Sequence, residues 1–168
     1  MPSEYAQVMR LCEFSPVQMS QFLARYQIEM RLCASDTLIP GSYWGDDEAG
    51  LIGHRLYARE NTPIHSILHE AGHYICVDPA RRAHLERDAG SDNAEESAVC
   101  YLQVLLADEI PEVGRERMFD DMDAWGYSFR LGSTRAWFEH DASDALDWLI
   151  QHKLVQNQRP NFQLRQTF

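Results

Sequence analysis

The sequence predicts a mostly helical α+β fold that forms a single domain over residues 1–168. A chain of this length buries a sizeable core without dividing into further domains. Apolar residues recur at helical spacing over most of the chain, which predicts amphipathic helices. Only the glycine-punctuated stretch from Ile39 to Asn61 has the pattern of strands. The predicted sheet is therefore small and antiparallel, the core covers about residues 15–154, and residues 155–168 form a polar, irregular tail.

Each predicted helix depends on a starting signal and an apolar stripe. Ser15 and Pro16 are an N-cap and a first-turn proline, and the apolar stripe behind them continues to about Cys33. Within the strand-like stretch, the pattern is clearest from Leu51 to Arg59. The remaining predicted helices are the segment between Thr62-Pro63 and Asp78-Pro79, a short one from Pro79 to about Arg87, Ala94–Leu106, Arg115–Trp125, Ser133–His140 and Asp144–Lys153.

The composition is that of a soluble globular protein and disfavours several classes of partner. Hydrophobic residues make up 45% of the chain and charged residues 24%, which excludes a disordered chain. The net charge of −11 disfavours a nucleic-acid backbone as partner. No apolar run is long enough to span a membrane, and the first residues form no apolar signal segment. The four cysteines lack C-x-x-C spacing, so we expect free thiols in the reducing cytoplasm.

Residues 69–73 spell H-E-A-G-H, an example of the H-E-x-x-H motif of metal sites carried on one helix. His69 and His73 project from the same helix face one turn apart. Both imidazoles can therefore reach one metal at about 2.0–2.1 Å. Glu70 lies about 100° round the helix, near enough to touch a metal-bound water without being a ligand. The motif predicts a metal centre with His69 and His73 as ligands and Glu70 as the catalytic residue.

The surroundings of the motif support this interpretation. Its helix is amphipathic, and the two histidines fall on the side opposite the apolar stripe, together with Ser66 and Cys76. The stripe consists of Ile64, Ile67, Leu68, Ala71, Tyr74 and Ile75. The helix is therefore expected to bury one side in the core and to turn its histidines away from it.

A third metal ligand is expected on the next helix, which follows the capping cluster Ser91-Asp92-Asn93. Glu95 falls within the apolar face of that helix, whereas Glu96 lies about 100° away on the solvated side. A carboxylate on an apolar face must be paired or bound to metal, because burying it bare is costly. Glu95 is therefore the predicted third ligand, and Glu96 is the alternative. The alternative, a first-turn glutamate favoured by the helix dipole, explains an acid at this position but not its place on the apolar face.

From Thr62 to Leu106 the arrangement resembles the gluzincin branch of the zincin metallopeptidases, which carry H-E-x-x-H on one helix and a glutamate on the next. The resemblance implies a zinc site in a zincin-like two-helix arrangement and a peptide or protein substrate. Thermolysin-like members carry an acid four residues after the ligand glutamate, and here that position is Val99. Asp88 and Asp92 are the candidates to orient a zinc histidine in its place.

A second resemblance covers residues 67–76 and 80–82, which are similar to the metal-site helix of the bacterial elongation factor P hydroxylases. The Gly45-Asp46-Asp47-Glu48 stretch is similar to them as well. That family uses H-E-x-x-H and a downstream glutamate to hold Fe²⁺ for an oxidative reaction. Two histidines and one carboxylate are the ligand set of non-haem Fe(II) oxygenases, so the ligands leave zinc and iron both open.

Several residues are weaker candidates for substrate binding. In zincins the edge strand beside the motif helix binds extended peptide, and Leu51–Arg59 is either such an edge or a plain structural hairpin. Tyr127 or Arg130, from an aromatic loop, is a candidate to stabilise an oxyanion, although core aromatics at a helix end are the commoner explanation for such a loop. His65, one turn before His69, and His54 on the strand stretch could each face the metal or solvent.

The sequence therefore predicts a cytoplasmic zinc-dependent metallohydrolase of the peptidase type. An iron-dependent protein hydroxylase is the first alternative. A non-catalytic regulatory protein whose metal only joins two helices is the second, and its closed four-ligand site would use Cys76 as the extra ligand. The substrate and the oligomeric state cannot be read from the sequence.

Overall fold

The computed structural model describes residues 7–34, 37–41, 47–84 and 92–166, and within them it confirms the predicted α+β class. In the described residues one α-helix precedes the three strands of the main sheet, and the other α-helices follow those strands. None of them is long and apolar enough to cross a membrane. They are α1 (Pro16–Ala24), α2 (Ile64–Cys76), α3 (Pro79–Arg82), α4 (Asn93–Asp108), α5 (Gly114–Trp125), α6 (Thr134–His140) and α7 (Ser143–Gln151).

The main sheet has three strands, β1 (Glu29–Leu32), β2 (Gly50–Ile52) and β3 (Arg55–Ala58), in the order β1-β3-β2. β2 and β3 form an antiparallel hairpin whose turn contains Gly53 at a φ of +59°, a conformation that favours glycine. β1 pairs with β3 in parallel. The sheet is therefore mixed, whereas the sequence predicted a purely antiparallel one.

The first helix is shorter than predicted. The apolar stripe indicated a helix to about Cys33, but α1 ends at Ala24 and the chain turns at Gln27, whose φ is +62°. Residues 29–32 then form β1 beside β3. The backbone hydrogen bonds offered by β3 outweigh the weak local preference for helix, because propensity contributes only tenths of a kcal/mol per residue.

Helix α2 lies at the centre of the molecule. It packs against α4 on one side and contacts β2 and β3 on another. Its predicted apolar stripe is buried. A Cβ atom on Gly72 would lie 3.0 Å from Cγ1 of Val99, so the absence of a side chain at Gly72 lets α2 and α4 approach closely. This close approach sets the distance between the two helices that carry the predicted metal ligands.

The C-terminal tail is ordered, contrary to the prediction of an irregular segment. Its strands β4 (Val155–Gln156) and β5 (Arg159–Pro160) form a small hairpin. Beyond it, the backbone N–H of Arg165 donates to the carbonyl oxygen of Ile75, and its guanidinium donates to that of Cys76. The guanidinium of Arg82 in turn donates to the carbonyl of Arg165. The tail thus satisfies carbonyl groups at the C-terminal end of the motif helix, which have no partner within the helix.

Candidate metal centre

His69, His73 and Glu96 form a compact triangle of metal-binding atoms. The Nε2 atoms of the two histidines lie 3.2 Å apart. One carboxylate oxygen of Glu96 lies 3.2 Å from Nε2 of His69, and its other oxygen lies 3.2 Å from Nε2 of His73. Two turns of α2 and the first turn of α4 supply these atoms. The structure thus brings together both predicted histidine ligands.

The prediction that Glu95 faces the histidines is wrong. Glu95 is buried as predicted, but its carboxylate is paired with Arg81 at 2.5 Å and with Arg165 at 3.3 Å. These two cations satisfy the rule that a buried acid must be paired or bound. The carboxylate that reaches the histidines belongs to Glu96, the alternative considered from the sequence. The helical projection was therefore correct, and the error lay in placing the metal on the apolar face of α4.

The spacing of these four donor atoms fits one metal ion. Ligands at the 2.0–2.1 Å typical of zinc lie about 3.3–3.4 Å apart in a tetrahedron and about 2.9 Å apart at right angles. The observed 3.2 Å separations fall between these values. Two nitrogens and one carboxylate oxygen suit zinc in the first geometry and Fe²⁺ in the second. The donor set therefore fits both metals, with further coordination positions left for other groups.

Gln103 determines which nitrogen of His69 faces the site. The Gln103 side-chain NH₂ donates to the carbonyl oxygen of His65 at 2.9 Å, which orients the amide. Its Oε1 then lies 2.9 Å from Nδ1 of His69 and can only accept a hydrogen bond there. Nδ1 of His69 must therefore carry a proton, which leaves Nε2, on the side of Glu96 and His73, as the nitrogen that can bind a metal once it is deprotonated. This is the arrangement by which outer groups orient metal-binding histidines.

The electrostatics of the site favour positive charge at the triangle. Burial by itself lowers the pKa of His69, whereas Tyr127 and Cys100 raise it. A hydrogen bond that His69 donates to the Glu96 carboxylate adds to the increase, and the pKa of His69 is raised well above its usual range. The two imidazole nitrogens and the two carboxylate oxygens are electron-rich and are separated by 3.2 Å from one to the next, so they repel unless positive charge lies between them. A metal ion supplies that charge.

Glu70 lies in the wall of a cavity beside the triangle. The cavity has a volume of about 450 Å³ and is lined by α2, by α4, by Glu48 and by the loop of residues 125–129. Burial raises the pKa of Glu70 to about 7, with a further increase from Glu48 and Glu96 that His69 opposes. A carboxyl group with such a pKa both takes and returns a proton near neutral pH. This is the placement expected for the glutamate of H-E-x-x-H.

Of the four weaker candidates, two line this cavity and two lie elsewhere. Tyr127 and His65 are in its wall, and the hydroxyl of Tyr127 lies 3.2 Å from Nδ1 of His65. His54 is exposed and lies 3.6 Å from the carboxylate of Glu29. Arg130 is also exposed and is paired with Asp141. The proposed roles of His54 and Arg130 at the site are therefore wrong, because neither side chain lines the cavity and each lies beside an acid elsewhere.

The cysteine beside the triangle is Cys100, not Cys76. Ligand atoms of His69, Glu96 and Cys100 all lie within 4.8 Å of one another. Cys76 is fully buried near Glu95, and burial raises the pKa of its thiol well above its usual range. Asp92 caps α4 by accepting from the N–H of Glu95, and Asp88 lies outside the described residues. Gln103 takes the orienting role that the sequence had offered to these two acids.

Gln103 and Cys100 are the site residues that the sequence reasoning missed. With Glu96 they occupy positions i, i+4 and i+7 of α4 and so lie on one face. A glutamine within the otherwise apolar run from Val99 to Ala107 was the signal, because a buried amide needs partners on a neighbouring element.

The sheet edge nearest the site is not open for strand addition. β3 is the central strand, so the edge beside α2 is the short β2. In a two-residue hairpin the pair Ile52–Arg55 is hydrogen bonded, and the N–H and C=O of Leu51 therefore point outward. A Cβ on Gly41 would lie 2.9 Å from Leu51 N and 3.0 Å from Leu51 O. The chain at Gly41 thus covers this edge, which favours the structural hairpin over a peptide-binding edge strand.

Comparison with protein-family models, with curated proteins and with solved structures gave no match, so the functional argument rests on the geometry of the site.

Proposed function

We propose that the protein is a metal-dependent hydrolase in which His69, His73 and Glu96 hold a zinc ion. The observation that carries this proposal is the triangle of donor atoms at 3.2 Å, formed by the H-E-x-x-H helix and the helix packed against it. The cavity beside the triangle supplies room for part of a substrate. A peptide or protein is the proposed substrate. The free thiols of all four cysteines support a cytoplasmic location.

The residues of the cavity have separate tasks in this reaction. A bound zinc ion supplies Lewis acidity, which polarises a carbonyl group and lowers the pKa of water. Glu70 accepts a proton from the attacking water and returns it to the leaving group, for which its pKa of about 7 is well suited. Gln103 holds His69 in the tautomer that coordinates through Nε2. The aromatic side chains of the 125–129 loop limit the access of water to Glu70.

The metal site is tested by histidine substitution. His69→Ala and His73→Ala should each abolish stoichiometric zinc binding, measured by calorimetry and elemental analysis, because an incomplete ligand set remains. The matched control is His54→Ala, which removes an exposed histidine outside the site and should leave binding unchanged. Glu70→Gln should retain zinc and lose turnover. Full zinc retention in both site variants would exclude the proposed metal centre.

An iron-dependent protein hydroxylase is the second candidate, and the sheet edge is the observation that favours it. Because Gly41 covers β2, the extended peptide binding expected of a zincin has no open edge there. A cavity that receives a single side chain is sufficient for a hydroxylase, and the 3.2 Å spacing also suits Fe²⁺.

Metal content and oxygen dependence separate the two candidates. Zinc in protein purified without added metal, with peptide turnover that is unaffected by removal of oxygen, supports the hydrolase. Iron occupancy, with oxygen-dependent addition of a hydroxyl group to a protein side chain, supports the hydroxylase instead.

A further inference from the structure

The hydrogen bonds that begin at His69 continue from Gln103 into the wall of the cavity. The amide nitrogen of Gln103 lies 3.4 Å from the hydroxyl of Tyr127, in addition to its bond to the His65 carbonyl. The Tyr127 hydroxyl lies 3.2 Å from Nδ1 of His65. The other ring nitrogen of His65, Nε2, is buried and has no hydrogen-bond partner among the described residues.

The donor and the acceptor in each of these hydrogen bonds follow from the chemistry of the groups involved. The amide nitrogen of Gln103 only donates, so the oxygen of Tyr127 accepts from it. The Tyr127 proton then has Nδ1 of His65 as its available acceptor, since a buried hydroxyl that donates to nothing is costly. Nδ1 of His65 must therefore carry a lone pair. The ring proton of His65 lies on Nε2.

We propose that His65 is an uncharged hydrogen-bond donor that binds an oxygen atom of the substrate, a carbonyl or carboxylate oxygen, in the cavity beside the metal centre. Tyr127 and Gln103 act as positioning residues that hold the proton on Nε2. The inference rests on the proposed function in one respect, because it takes this cavity as the substrate site.

The surroundings of His65 keep the donor neutral and fixed. Its ring is 1% exposed and packs against Trp125, with ring centroids 5.0 Å apart. Burial, which has the largest effect, together with His69 and Arg10 lowers the pKa of His65 to about 3, so the ring is uncharged at neutral pH. Burial also raises the pKa of Tyr127 to about 12, so the hydroxyl keeps the proton that it donates to Nδ1 of His65. A buried N–H without an acceptor costs free energy that a bound oxygen atom recovers.

The decisive test reads the tautomers in metal-free protein labelled with ¹⁵N-histidine. Long-range ¹H–¹⁵N spectra at neutral pH should show the single ring proton of His65 on Nε2. Tyr127→Phe should abolish this fixed Nε2–H state of His65 and leave the exposed His54 unchanged. A proton on Nδ1 of His65 in the wild type would overturn the proposal. Because no metal is present, failure of the metal centre leaves this result unaffected.

A binding measurement tests the role of the donor. The probe is acetohydroxamate, which has a carbonyl oxygen and an affinity for zinc, added to the zinc-loaded protein. Loss of one hydrogen bond should weaken its binding about two- to tenfold in His65→Phe. Tyr127→Phe should weaken it similarly without removing the imidazole, and His54→Phe is the matched control with no effect. Unchanged binding in both cavity variants would show that His65 does not contact the bound oxygen.

Discussion

Glu95 and Glu96 are neighbours in the sequence, yet they lie in two different electrostatic environments. The Glu95 side chain is 4% exposed and is neutralised by Arg81 and Arg165. The Glu96 side chain is 44% exposed and faces two histidines. One carboxylate joins α4 to the C-terminal tail and to α3, and the other completes the candidate metal centre. A rotation of about 100° along one helix separates the two.

The comparison shows that depth of burial does not identify a metal ligand. A buried carboxylate needs a counter-charge, and arginine supplies it as well as a metal does. A catalytic metal must remain accessible to substrate, so its ligands belong at the margin of the core. Glu96 meets that requirement because it opens onto the cavity.

The largest expected effect comes from replacing each of the two acids, in separate variants, by glutamine. Glu96→Gln should weaken zinc binding at least about 100-fold, since even outer-shell changes cost 10- to 100-fold. Glu95→Gln should leave zinc affinity within about threefold but lower the free energy of unfolding by about 1–3 kcal/mol, because it leaves arginines without their buried partner. Calorimetric titration and urea denaturation measure the two quantities. The reverse result, in which Glu95→Gln loses zinc and Glu96→Gln loses stability, would contradict the assignment of Glu96 to the metal centre.

Acid should destabilise the cavity side of the molecule through His65. The imidazole of the unfolded chain binds a proton near its ordinary pKa of 6.5, whereas the buried ring does so only near pH 3. The unfolded state therefore holds more protons between these values, and stability present above pH 6.5 is lost as the pH falls. The expected loss is up to about 1.4 kcal/mol per pH unit. Urea denaturation of metal-free protein at about pH 7 and about pH 5 should show a greater loss of stability in the wild type than in His65→Phe; the same change in both proteins would contradict the role of His65.

A substitution at Gly72 tests the distance between α2 and α4. Gly72→Ala places a Cβ 3.0 Å from Cγ1 of Val99, so Val99 must shift by a few tenths of an ångström and, where its side chain cannot turn aside, moves α4 with it. We expect zinc affinity to fall about three- to tenfold as Glu96 moves away from the histidines. The better helix propensity of alanine, about 1 kcal/mol, offsets part of the cost of overpacking. Ala71→Gly on the same helix is the matched control for propensity, and equal zinc affinity in Gly72→Ala and wild type would show that the close approach does not position Glu96.

The smallest expected effect concerns two cysteines, Cys100 beside Glu96 and Cys76 beside Glu95. Cys100→Ser should change zinc affinity less than about threefold if the site is open, as a catalytic site is. Cys76→Ser, on the Glu95 side, is the matched control for a buried thiol. A loss of about tenfold or more in Cys100→Ser alone would make Cys100 a fourth ligand. That closed site would favour the regulatory protein over either enzyme.

Local patterns were sufficient for the helices that carry the site and for the histidine pair. Helix α2 begins after Thr62-Pro63 and ends before Asp78-Pro79 as predicted, and α4 follows its capping cluster. These features depend on residues within a turn or two of each other, so spacing along the chain predicts them. The burial of Glu95 followed from the same periodicity. The end of α1 could not be predicted from periodicity, because β1 exists only through pairing with β3.

The identity of the third donor atom depended on how α4 packs against α2. Periodicity tells which side of a helix is apolar, but it does not tell which neighbouring element lies against each side. Arg165, 70 residues after Glu95, reaches that carboxylate only in the folded chain and leaves the histidines to Glu96. The hydrogen bonds that run from His69 through Gln103 and Tyr127 to His65 likewise join three separate segments of the sequence. Contacts between residues far apart in sequence carry no local signal, so the sequence specified the chemistry available and the packing of the helices selected the groups that meet.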